Sequence, residues 1–125
     1  MERFSFEFEK ILTQARAIVK AEVSAQQIVV VETSKSHIYH FANHDVMSGV
    51  RTDEETFVKT LIEREDTEIR YAVCLWNDFQ LDVPSLHFRK LLLKINPANA
   101  ETLFLLNGGE GLTAKALKAM LPPRP

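Results

Sequence analysis

The sequence predicts an α/β domain in which helices alternate with the strands of a mixed sheet. Three observations carry this reading. The β-branched run Ile28-Val29-Val30-Val31 and the run His37–Phe41 flank a short polar turn, as the arms of a hairpin do. A nearly continuous apolar run, Ile69 to Trp76, has the pattern of a central strand covered on both faces. Between and around these runs, apolar residues recur at helical spacing. The predicted order is α-β-β-α-β-α-β-α, without internal repeat or linker, so residues 1–125 are expected to form one domain.

The bulk properties narrow the class. A chain of 125 residues buries roughly two thirds of the surface that its unfolded form exposes. With 46% hydrophobic and 26% charged residues, the composition is that of an ordinary globular protein. The net charge of -2 argues against a nucleic-acid reader, which carries a basic excess. No apolar run approaches the roughly 18 residues of a membrane span, and no secretory core follows Met1, so a cytoplasmic protein is expected. The single cysteine, Cys74, excludes an internal disulfide and a cysteine-rich zinc cage.

The first helix is predicted from Phe6 to Val23, where Phe8, Ile11, Leu12, Ala15, Ile18 and Val19 share one side. After the hairpin and a loop through Gly49, Thr52 begins a second helix. Thr52-x-x-Glu55 has the capping-box pattern, and Asp53 and Glu54 place negative charge in the first turn. Asn77-Asp78 closes the central strand. Ser85 is a natural N-cap for a third helix with Phe88, Leu91, Leu92 and Ile95 on one side, and Asn96-Pro97 stops it. Thr102 to Leu106 is a further buried strand. Gly108-Gly109-Glu110-Gly111 lacks the Gly-Lys-Ser/Thr ending of a phosphate loop and is expected to be a turn, and Thr113 is expected to cap a last helix running to Met120.

Two helix starts about thirty residues apart, joined by one buried strand, carry the chain's motifs. Asn43-His44-Asp45 follows the hairpin, Thr52-Asp53-Glu54 opens the second helix, and Pro84-Ser85-Leu86-His87-Phe88-Arg89 opens the third. In this order and spacing they resemble the motifs of the small homo-oligomeric cytidine deaminases over essentially the whole chain. The resemblance implies a three-layer cytidine-deaminase-like fold with helices on both faces of the sheet. In that family an Asn-x-Glu holds the nucleoside sugar, Cys-Ala-Glu supplies a zinc ligand and a proton shuttle, and Pro-Cys-Gly-x-Cys-Arg supplies two more ligands. Asn43 and Asp45 match the first motif, with Asp one methylene shorter than Glu. Glu54 matches the proton shuttle. Pro84 and Arg89 match the third motif, and Met120-Leu121-Pro122 is similar to the Leu-Leu-Pro near the family's C-terminus.

The three cysteine positions are occupied by Thr52, Ser85 and Phe88. Thr and Ser suit helix starts without metal, each N-cap contributing about 1 kcal/mol. The ring of Phe88 has no ligand atom; it is expected to fill the vacated metal space and to offer a face for stacking. Zinc lowers the pKa of bound water from 15.7 to about 7. A positioned general base such as Glu54 returns only about 10²–10⁴ in rate. Zinc is therefore expected to be absent and zinc-type deamination lost.

Plainer readings stand beside these. Glu54 also serves as a first-turn acid complementing the helix dipole, and Asn43 and Asp45 are common turn residues. A substitute metal site built from His40, His44, His87 and Cys74 would need a fortuitous convergence, and Cys74 reads as a buried small hydrophobe. The expectation is a catalytically silent, zinc-free relative that binds a nucleoside-like ligand, through Asn43, Asp45 and Phe88, or a protein partner. A homodimer or homotetramer is expected from the resemblance, with no nucleic acid and no membrane as partner. The alternative is an active hydrolase or deaminase that uses Glu54 with a non-standard metal site.

Overall fold

The computed structural model describes residues 2–44, 52–108 and 111–121. Three helices, α1 (Glu2–Ala21), α2 (Thr52–Glu63) and α3 (Leu86–Ile95), pack on a sheet of β1 (Gln27–Thr33), β2 (Ile38–Asn43), β3 (Ile69–Trp76), β4 (Leu103–Gly108) and β5 (Gly111–Ala116). The strands lie in the order β2-β1-β3-β4-β5. Among the described strands only β3 and β4 run parallel; β1–β2, β1–β3 and β4–β5 are antiparallel. α3 supplies the crossover that a parallel pair needs.

The period of two along each strand divides the core into two halves. Ile28, Val30, Val73, Leu75 and Leu105 face α1, where they meet Phe8, Ile11, Leu12 and Ala15. Val29, Val31, Ala72, Cys74 and Phe104 face the other way, against Phe57, Val58 and Leu61 of α2 and Phe88 and Leu92 of α3. β3 is buried on both faces, as its unbroken apolar run predicts.

A buried amide joins these layers at one end. Asn99 is fully buried; its Oδ1 accepts from Ile69 N at 2.7 Å, and its Nδ2 donates to Leu92 O and Thr67 O, each at 2.9 Å. It thereby gives the end of α3 a second donor, beside Asn96 N at 3.2 Å from Leu92 O, and satisfies the start of β3.

The predicted α/β class and mixed sheet hold, with two local corrections. α1 begins at Glu2 rather than Phe6 and ends at Ala21 rather than Val23, because Ala25 N turns back onto Glu22 O at 3.0 Å and buries Ala25 on the way into β1. The expected last helix is not formed. Residues 111–116 are instead β5, paired with β4 from Leu103↔Ala116 to Gly108↔Gly111, and a short 3-10 turn, Leu117–Met120, follows. Ala, Lys and Leu favour helix locally, but the open edge of β4 offers a row of backbone partners, and this tertiary pairing overrides propensity.

Candidate functional site

Ser85 and Glu54 bring the first turns of α2 and α3 together. As the N-cap of α3, Ser85 accepts a hydrogen bond from Phe88 N at 3.1 Å, which satisfies one of the free N–H groups of the helix start. Its Oγ also lies 2.9 Å and 2.8 Å from the two carboxylate oxygens of Glu54, so the hydroxyl donates into that carboxylate. Glu54 is completely buried. From the end of β2, Asn43 Nδ2 donates to Gln27 Oε1 at 3.3 Å and reaches Glu54 Oε2 at 3.5 Å. A buried carboxylate is tolerable only with such hydrogen-bonded neighbours.

Asn43, Glu54 and Ser85, separated by up to 42 residues in sequence, thus form one cluster. Asp45 lies outside the described residues. Thr52 is the first residue of α2, and its side chain also lies outside them. Phe88 is fully buried, with ring centroids 5.2 Å from Phe41 and 6.0 Å from Phe57. Its ring therefore fills space between the helices and the sheet. Glu55, the partner in the expected capping box, meets His87 Nε2 at 3.1 Å. Arg89 donates from Nε to Pro84 O at 3.0 Å and from a terminal nitrogen to Met120 O, tying the start of α3 to the C-terminal turn. Partial burial lowers its pKa, an effect opposed by the charge of Asp82.

The donor chemistry does not fit a zinc ion held between the two helix starts. Structural and catalytic zinc takes thiolate, imidazole or carboxylate ligands, usually at least three from the protein. Around Glu54 the positions carry a neutral hydroxyl, a carboxamide and an aromatic ring. Cys74 is buried beside them, but burial, followed by the charges of Asp82 and Glu54, raises its pKa well above the ordinary thiol value. A metal would need the thiolate that this setting disfavours. Two of the three histidines of the conceivable substitute site go elsewhere: His87 to Glu55, and His44 toward Glu22 Oε1 at 4.0 Å. Among the described residues, no three His, Cys, Asp or Glu side chains gather as a metal would require.

A hollow opens between β2 and α2, the two elements that carry Asn43 and Glu54. It holds about 570 Å³ and is lined by His40, Phe41, His44, Asp53 and Phe57, among others. Neither Asn43 nor Glu54 lines it. Their immediate chain neighbours Ala42, His44 and Asp53 do.

No family model matches the chain, and no curated protein matches it by sequence. Solved structures do match its fold. Cytidine deaminase from Burkholderia pseudomallei superposes with a TM-score of 0.62 at 10% identity, over 91% of this chain and 96% of that one. The cytidine deaminase from Bacillus anthracis gives 0.61 at 13% identity, covering 91% and 89%. That from Mycobacterium leprae gives 0.60 at 13% identity, covering 87% and 94%. The chain has a cytidine-deaminase-like fold.

Proposed function

We propose that this protein uses the cytidine-deaminase-like fold for binding rather than for catalysis, without zinc, and that its occupant is a small nucleoside-like ligand or a protein partner. The supporting observation is the contact of Ser85 with Glu54. A proton-shuttling carboxylate must meet the reacting water or the ring of its substrate. Here Glu54 is fully buried and receives the hydroxyl that also caps α3. One hydroxyl joins the two helix starts where the resemblance would have a metal.

The ligand reading rests on Asn43 beside Glu54, with Asp45 as a further candidate for a sugar hydroxyl, and on the mixed polar and aromatic groove between β2 and α2. Phe88 has no exposed face, so stacking on it requires the helix starts to part. An active hydrolase is the competing reading, since a hydroxyl against a carboxylate is also the pairing of a nucleophile with its base. The complete burial of Glu54 and the capping bond from Phe88 N favour the structural role.

Two measurements test the proposal together. Elemental analysis of untagged protein is expected to find no stoichiometric zinc. Cytidine, deoxycytidine and uridine are then titrated against wild type and an Asn43→Ala, Glu54→Gln double variant, with ammonia release followed in parallel. No turnover and weak binding reduced in the variant are expected. Ammonia release abolished by the double substitution refutes the silent reading. Binding indifferent to the substitutions, or none, leaves a protein partner as the occupant.

A further inference from the structure

A second polar cluster lies at the opposite end of α2. The hairpin between β1 and β2 turns through Ser34–Ser36 and presents His37 to Asp66, which follows the C-terminus of α2. His37 Nδ1 donates to Asp66 Oδ2 at 2.7 Å, and Tyr39 OH donates to the same oxygen at 2.9 Å. Asp66 is 2% exposed, and its other oxygen, Oδ1, is buried without a hydrogen-bond partner.

Beside this pair, donors gather on one open surface. With Nδ1 committed to Asp66, Nε2 is on the side of the ring turned away from it, and the His37 side chain is 60% exposed. Beside it the Arg64 guanidinium stands over the Tyr39 ring, 5.8 Å from the centroid, which holds its planar fork in place. Ser36, His37, Ile38, Tyr39 and Arg64 line one open groove of about 800 Å³, and no carboxylate lines it. Lys35, the chain neighbour of Ser36, has its Nζ anchored to Glu65 O at 2.7 Å.

We propose that this groove is an anion site for a phosphate group, either free phosphate or a phosphomonoester. The Arg64 fork and the His37 Nε2–H take its oxygens, with the Ser36 hydroxyl as a further donor. Asp66 is the positioning residue that orients the imidazole. The complex uses the doubly protonated ring, one N–H toward each anion. Donors from three side chains suit a tetrahedral dianion better than a flat carboxylate, which the guanidinium fork alone would satisfy. The site is separate from Glu54, because the 12 residues of α2 span about 18 Å.

The test is an NMR titration of the full chain at constant ionic strength, with inorganic phosphate, glycerol 3-phosphate and chloride. Saturable shifts confined to residues 36–39 and 64 are expected for the two phosphates and not for chloride. Arg64→Gln and His37→Gln should each weaken binding about tenfold, as loss of a charge-assisted hydrogen bond does. Asp66→Asn should weaken it less, and Lys118→Gln, whose pair with Glu101 lies elsewhere, should not change it. Tighter binding of the ester assigns the site to a phosphomonoester; equal or weaker binding assigns it to free phosphate. Shifts that rise linearly as with chloride, or an Arg64→Gln protein that binds like wild type, overturn the proposal. Arg64 is exposed, so its variant decides the matter even if the Asp66 variant fails to fold.

Discussion

The hydroxyl of Ser85 stands 2.8 Å from Oε2 of Glu54, and through it the first turns of α3 and α2 are joined across 31 residues of sequence. This one oxygen accepts from a backbone N–H and donates to a buried carboxylate. It therefore does two structural tasks that neither a bare helix start nor an unpaired Glu54 would allow.

Ser85→Ala removes both at once. Loss of the cap costs about 1 kcal/mol, and withdrawing a donor from a buried carboxylate costs about 1.5–3 kcal/mol. The combined loss is expected at about 2–4 kcal/mol, read from the midpoint of urea unfolding. A loss below about 0.5 kcal/mol, the level of an ordinary surface substitution, would mean that the contact carries no stability.

Phe88→Ala opens a void in the half of the core shared by α2, α3 and the sheet. The ring is fully buried and packed on Phe41 and Phe57, so a loss of about 3–5 kcal/mol is expected. Phe88→Leu, which retains most of the volume, should cost clearly less. Equal costs in thermal unfolding would show that the ring is not what fills the space between the helix starts.

Acid should act through Asp66. Burial alone pushes its pKa up, but the hydrogen bond from His37, the nearby Thr33 hydroxyl, the hydrogen bond from Tyr39 and the charge of His37 outweigh this and leave it below the ordinary carboxylate value. The Thr33 hydroxyl favours the charge from nearby without meeting hydrogen-bond geometry at Oδ1. A folded pKa below the unfolded one means that the contribution is complete above the unfolded value, about 3.9, and is lost as pH falls through the folded value. Urea unfolding across pH 5 to 2 should therefore show a flatter pH dependence for Asp66→Asn than for wild type. Identical slopes would remove Asp66 as the group responsible.

Assembly is expected to be at least dimeric. β2 and β5 are the two edges of the sheet, and the apolar side chains of Ile62, Phe79 and Leu112 are each more than 40% exposed. Closed symmetric oligomers are a common way to cover such surface. Light scattering at micromolar protein should exceed the 14.3 kDa of one chain; a monomer across ordinary salt concentrations would count against assembly.

Much of the frame is legible in the chain because it is written in local terms. The apolar run of 69–76, the β-branched arms of the hairpin and the Ser85 cap each follow from spacing or from one side chain's reach to its own backbone. Among the described residues, no helix is long and apolar enough to cross a membrane, as the hydropathy pattern implies. Where an element depends on a distant partner, local reading fails. Residues 111–116 look helical by composition, and only the free edge of β4 makes them a strand.

The sites divide in the same way. By itself the sequence determines that thiols are absent from positions 52, 85 and 88 and that two helix starts carry oxygen-bearing side chains. Only the tertiary structure decides that Ser85 bonds to Glu54, that Phe88 is sealed among Phe41 and Phe57, and that His37 meets Asp66 across 29 residues. Side-chain hydrogen bonds act over about 3 Å and leave no periodic trace in a sequence, whereas burial patterns repeat with every turn or pleat. The fold is therefore readable from the chain, and the pairing of its polar groups is settled by packing.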